Sequence, residues 1–128
     1  MASVNGVEIN LAPTESMKEE AQRFLNWKKE GKDGGTDTAY RRARQILNNP
    51  ELAPDVVIKM YAWKARHMVD RKAYGFNRGE KGYPSNGRVA HSAWALPAGD
   101  KWVDAKYKAI QRARNPSKKL SVVRYGLF

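Results

Sequence analysis

Pro54-Asp55-Val56-Val57-Ile58-Lys59-Met60-Tyr61-Ala62-Trp63-Lys64-Ala65-Arg66-His67-Met68-Val69-Asp70 is the stretch that decides the fold class. Val56, Val57, Met60, Trp63 and His67 recur at helical spacing and share one side, so the segment reads as an amphipathic helix running to about Asp70. Pro54 suits the first helical position, where a missing N–H costs nothing. Working back, Asn48-Asn49-Pro50 breaks a preceding helix whose apolar stripe is Ala39, Ala43, Ile46 and Leu47. Its opposite face carries Arg41, Arg44, Gln45 and Asn48, and Thr36 or Asp37 caps it. A first helix follows Pro13, with Met17, Ala21, Phe24 and Leu25 in register and Ser16 and Glu19 as a capping box. Gly31, Gly34 and Gly35 end it. Working forward, residues 71–88 form a long loop, Val89, Ala93 and Leu96 mark a short helix stopped by Pro97, and Asp100 caps a last helix with Val103, Tyr107 and Ile110 inward. That helix ends at Asn115-Pro116.

The termini complete the pattern. Val7, Ile9 and Leu11 alternate with polar residues after an Asn5-Gly6 turn signal, and Ser121 to Tyr125 read as a strand that pairs with residues 7–11. The expected fold is mainly α: a compact bundle of about five helices, a long central loop and a small two-stranded patch formed by the termini. Length sets one domain over residues 1–128. Within it residues 1–12 are an N-terminal arm or short strand, and 116–128 a basic C-terminal tail or short strand.

Charge is distributed unevenly. Residues 1–40 hold seven acids and five bases, residues 41–128 six acids and nineteen bases, which gives −2 and +13 and the net +11. From Ala105 onward there are seven bases and no acid. Such a surface repels itself and draws polyanions, so the expected partner is nucleic acid, DNA or RNA, with an acidic protein as the alternative. The chain has no cysteine, which removes disulfides, thiolate nucleophiles and Cys-type zinc sites and fits a reducing compartment. No secretory leader is legible at the N-terminus, and no apolar run approaches the roughly 18 residues that span a bilayer. A hydrophobic fraction of 41% with four tryptophans supplies a core.

The loop is the strongest local signal, because Arg71, Lys72, Arg78, Lys81 and Arg88 alternate with Tyr74, Phe76 and Tyr83. Rings stack on bases while cations follow phosphates, so this mixture suits single strands; the competing reading is an Ω-type loop whose rings fold back onto the helices. Gly79-Glu80-Lys81-Gly82 has the GxxG form of a phosphate clamp, with Glu80 opposing phosphate. In the last helix and beyond, Lys101, Lys108, Arg112, Lys118 and Lys119 form a second set of phosphate contacts. The second and third helices read as a helix-turn-helix only with an over-long connection, leaving Lys59 and Arg66, seven apart, for backbone contacts.

Signals for catalysis are poor. His67 sits on the apolar side of its helix and reads as a packed core histidine, so His67→Asp is expected to destabilise and chelators to change nothing. His91 and Ser92 are sequence neighbours and do not face each other on a helix. Asp100 and Asp104 share a face that could take Mg²⁺, though capping explains Asp100 more simply, and Glu30-Gly31-Lys32 lacks the strand a nuclease would need. The expectation is a protein that is not an enzyme and uses no cofactor.

Several pieces taken together carry a resemblance. They are Gly34-Gly35-Thr36, Arg42-Ala43-Arg44, Leu52-Ala53-Pro54, Arg66 to Lys72, Gly75-Phe76, Gly79 to Ser85, Gly87-Arg88-Val89-Ala90 and Gly99-Asp100-Lys101-Trp102. In this order, over roughly residues 5–105, the chain resembles an uncharacterised small module of tailed bacteriophages, free-standing or attached to head-morphogenesis proteins. It departs from that module at Ala53, where a serine is expected, and at Leu96-Pro97-Ala98, in place of a tryptophan-glycine-rich turn. The resemblance implies a phage origin and a helical fold, and carries over no catalytic residue. A small, basic phage protein that binds nucleic acid mainly through phosphates is the expected function, in the host cytoplasm or packaged in the virion. A protein-interaction role, in phage head assembly or in binding an acidic phage or host protein, is the alternative.

Overall fold

A computed structural model of the chain describes residues 1–116. It is mainly α, with five helices, 60% helical content and a small two-stranded antiparallel sheet from the N-terminus. In chain order the elements are β1 (Ala2–Val4), β2 (Val7–Ile9), α1 (Glu15–Lys29), α2 (Asp37–Asn48), α3 (Pro54–His67), a 3₁₀ turn (Met68–Lys72), α4 (Asn86–Ala93) and α5 (Asp100–Arg114).

The sheet corrects one expectation. Asn5-Gly6, with both residues at positive φ, closes a tight hairpin in which Ala2 pairs with Ile9 and Val4 with Val7. The partner of residues 7–9 is therefore the segment just before them, while the strand expected at 121–125 lies outside the described residues. Asn5 Nδ2 donates to the Ala113 carbonyl at 2.9 Å, tying the hairpin to the end of α5.

Helices α1, α2 and α4 begin where a side-chain oxygen takes an orphan amide. Thr14, not Ser16, caps α1 by accepting from Met17 N, and Thr36 caps α2 by accepting from Ala39 N. Ala53 precedes α3 with no side-chain cap, and Pro54 stands in the first turn. Gly99 precedes α5, so Asp100 is its first residue and not its cap. Helix α4 ends at Ala93, before Leu96, because Ala95 takes φ 62°. Ala95 N then donates to Ser92 O and Leu96 N to His91 O, the two bonds of a Schellman end.

Helix α1 packs on α2 and α4, α3 packs on α5, and α5 also meets the hairpin. One core joins them, with Leu11, Met17, Phe24, Ile46, Val57, Met60, Val89, Leu96, Val103 and Ile110 all fully buried. Gly34 fixes the α1–α2 turn against the start of α4. Its φ is +114°, and a Cβ there would meet the Asn86 carbonyl oxygen at 2.5 Å.

Candidate nucleic-acid interface

Helices α2 and α3 present a cleft of about 360 Å³ whose walls are Thr36, Thr38, Arg41, Arg42, Lys59, Ala62, Trp63, Arg66 and Trp94. Four of these residues are cations and none is a carboxylate. Arg41, Lys59 and Arg66 are exposed at its mouth, whereas Arg42 is only 4% exposed. The spacing explains the difference: Arg42 lies three residues after Ala39 and four before Ile46, on the buried stripe of α2.

Arg42 is held from two sides. Its Nη1 donates to Gln45 Oε1, and its guanidinium lies over the Trp94 ring at 4.9 Å. Trp94 stacks on Trp63 at 5.2 Å, and Trp63 stacks on His67 at 4.1 Å, so the guanidinium borders a cluster of contacting rings. Arg42 Nε is buried and has no hydrogen-bond partner among the described residues. Burial lowers the Arg42 pKa, the Arg41 charge adds to that, and Asp55 opposes it. Asp55 itself lies 3.9 Å from Lys59. Gln45 and Arg41 also border a second, more polar pocket with Asp37, Arg44, Asn48 and Asn49, which extends the α2 face.

The central loop divides its candidates between surface and core. Lys72, Tyr74, Arg78 and Lys81 are exposed, Tyr74 at 72%. Phe76 is buried against His91, and Tyr83 sets its edge on Trp27 at 5.8 Å, so these two rings fold back as the Ω-loop reading had it. Neither is a free stacking platform. Glu80 closes the loop: its Oε1 accepts from Gly75 N and Asn77 N, both at 3.0 Å, and these amides hold its pKa below the ordinary carboxylate value. The GxxG segment is thus stapled by its own carboxylate.

Arg71 and Arg88 leave the expected phosphate-contact set. Arg71 forks onto Asp100, with Nη1 to Oδ2 at 2.6 Å and Nη2 to Oδ1 at 2.8 Å, while its Nε donates to His91 Nε2 at 3.2 Å. Arg88 is buried and donates from Nη2 to Glu20 Oε1 at 2.7 Å and from Nη1 to Ser92 Oγ at 2.7 Å. Ser92 Oγ donates in turn to Glu20, and Arg88 sits over the Trp27 and Phe76 rings. This is a satisfied internal charge network, with no free face for a ligand.

On α5, Lys101, Lys108 and Arg112 are exposed along one stripe, as spacing required. Lys118 and Lys119 lie outside the described residues. Asp104 is taken by Lys64 at 2.8 and 2.9 Å and Asp100 by Arg71, so each carboxylate already has a cation from another element. Among the described residues no group of three or more His, Cys, Asp or Glu side chains is placed to hold a metal ion. No helix is long and apolar enough to cross a membrane.

The two histidines exchange roles relative to the sequence reading. His67 is half-exposed, 3.1 Å from Asp70, whereas His91 is fully buried. His91 Nδ1 lies 2.8 Å from the Gly87 carbonyl, which can only accept, so Nδ1 carries the hydrogen and Nε2 accepts from Arg71. Burial holds its pKa below the ordinary imidazole value, against the opposing pull of the Gly87 carbonyl.

The residue that sequence reasoning missed is Arg42. Its signal was present: a cation on the Ala39–Ala43–Ile46 stripe, where burial demands a partner. No family model, no curated protein and no solved structure matches this chain.

Proposed function

We propose that the protein binds nucleic acid, mainly through phosphates and without catalysing a reaction, and that the α2–α3 face is the centre of that interface. The observation that carries this reading is the cleft in which Arg41, Arg42, Lys59 and Arg66 meet with no carboxylate in the lining. Other exposed cations lie outside the cleft and add to the positive surface: Arg44 on α2, Lys72, Arg78 and Lys81 in the loop, and Lys101, Lys108 and Arg112 on α5. Tyr74 is the exposed ring in the loop that could stack on a base. The setting we propose is a tailed phage, for which the resemblance over residues 5–105 is the support.

Anisotropy titrations with duplex DNA, single-stranded DNA and RNA test the reading. Neutralising n phosphates gives a log–log salt slope of about −0.9n on duplex DNA. Replacing Arg41, Lys59 and Arg66 with Gln removes three exposed charges, so the slope is expected to shrink by about 2.7 on duplex with the fold intact. No binding to any of the three at about 50 mM salt, where the counterion term is strong, overturns the proposal.

A second reading rests on a different feature. Met68 and Val69 in the 3₁₀ turn and Tyr74 just after it are exposed at 44%, 67% and 72%, apolar surface that suits a protein partner. Under that reading Val69→Ser abolishes capture of the partner while nucleic-acid affinity stays unchanged.

A further inference from the structure

We infer that the α2–α3 cleft is a pocket for a single phosphomonoester anion, the terminal phosphate of a nucleotide or of a nucleic-acid end, with Arg42 as its inner ligand. The inference rests on the nucleic-acid reading above for its ligand class, and on the pocket's own geometry for its chemistry.

Three observations converge. First, Arg42 is the buried cation that lacks a carboxylate among the described residues. Arg88, the other buried arginine, is neutralised by Glu20 at 2.7 Å, whereas the contacts of Arg42 are a neutral amide and an indole face. A buried guanidinium without a counter-charge is costly, and a bound anion removes that cost. Second, the guanidinium is fixed before any ligand arrives. Gln45 holds one Nη and the Trp94 ring lies against the guanidinium at 4.9 Å, so little side-chain freedom is lost on forming a fork to phosphate oxygens. Third, the lining includes Thr36 and Thr38 at the start of α2, a twelve-residue helix whose N-terminus favours negative charge. Asp37 in the same turn borders the neighbouring pocket instead, and Asp55 is engaged with Lys59.

The recess favours an end over an interior phosphate. Trp94 and Trp63 are buried, at 5% and 8% exposed, so the pocket offers charge and not a stacking surface. An internal phosphodiester must leave the cleft in two directions and meets the exposed Arg41, Lys59 and Arg66 at its mouth. A terminal phosphate can enter on one tether and bring its oxygens to Arg42, carrying close to two negative charges at neutral pH.

The test compares a short single-stranded oligonucleotide bearing a 5′-phosphate, a 3′-phosphate or neither, and measures melting temperature in inorganic phosphate against chloride at equal ionic strength. One of the two phosphorylated ends is expected to bind on the order of tenfold tighter than the hydroxyl form, the scale of one charge-assisted fork. Phosphate is expected to raise the melting temperature where chloride does not. Arg42→Met keeps the stem's packing and removes the charge, so it should abolish both differences and melt higher than wild type in phosphate-free buffer. Arg42→Lys keeps the charge without the fork and should recover only part of the preference. If Arg42→Met fails to fold, the Arg41→Gln, Lys59→Gln, Arg66→Gln variant decides: it should weaken binding of all three oligonucleotides alike while keeping the preference for the phosphorylated end. Equal affinity for all three with no phosphate-specific stabilisation overturns the pocket, even if polymer binding persists. Phosphate stabilisation that depends on Arg42, with no oligonucleotide binding, keeps the anion pocket and overturns its nucleic-acid ligand class together with the function proposed above.

Discussion

At the scale of single residues, the internal polar network separates groups that look alike in sequence. His91 is locked as the neutral Nδ1–H tautomer between the Gly87 carbonyl and Arg71, with Asp70 and Arg88 the other charges acting on it. Its folded pKa lies below the ordinary 6.5, so the unfolded chain takes up a proton first as pH falls. Stability is therefore full above about pH 6.5 and falls below it, by at most about 1.4 kcal/mol per pH unit for one proton. Melting temperature from pH 7.5 to 5 should drop, and His91→Gln should flatten that drop; an unchanged slope in His91→Gln would show that other groups control acid sensitivity. His67→Asp, expected from sequence to unfold a core, instead alters a half-exposed side chain next to Asp70 and should cost far less than a buried charge. Removing one partner of the buried Glu20–Arg88 pair is the severe change. Glu20→Gln leaves a buried guanidinium uncompensated, and chemical denaturation should report a loss of about 3–5 kcal/mol.

At the scale of elements, what sequence made legible is what local periodicity controls. The apolar stripes of α1, α2, α3 and α5, the Thr36 cap and the Pro54 start all follow from spacing and capping chemistry. The misses come from elements set by long-range contact or by unusual backbone. Helix α4 ends early because Ala95 adopts a left-handed conformation that glycine would have announced. The buried ring of the 71–88 loop, Phe76, is chosen by what α4 offers it, which no local pattern encodes. Gly34 is the element-level position most sensitive to change. Gly34→Ala forces a left-handed alanine, roughly 1–2 kcal/mol, and drives its Cβ into the Asn86 carbonyl, so the α1–α2 turn and the start of α4 must part. A melting temperature within a degree of wild type would mean that this turn does not constrain α4. Glu80→Ala removes the acceptor for the Gly75 and Asn77 amides, and limited proteolysis should then cut near residues 75–82 before any helix.

At the scale of the whole molecule, charge and core pull in opposite directions, and salt separates them. The sequence made the imbalance plain, +11 overall, but not its placement, because which arginines are consumed internally depends on the fold. Arg71, Arg88 and Lys64 are neutralised by Asp100, Glu20 and Asp104. Arg41, Arg44, Arg66, Lys72, Arg78, Lys81, Lys101, Lys108 and Arg112 have no ion-pair partner among the described residues. Exposed like charges repel across water and are screened once the Debye length falls to about 10 Å, near 0.1 M salt, whereas partly buried pairs are screened much less. Raising sodium chloride from about 10 to 200 mM should therefore stabilise the fold, since the repulsion it removes exceeds the attraction it weakens. The same change should weaken nucleic-acid binding, because released counterions return to a more concentrated bath. Stability and affinity thus move in opposite directions along one salt axis, a pairing that calorimetry and anisotropy can follow in the same buffers. A melting temperature that falls with chloride would mean that the surface is held by attractive pairs, and the unpaired cations would then lose their claim to be an interface.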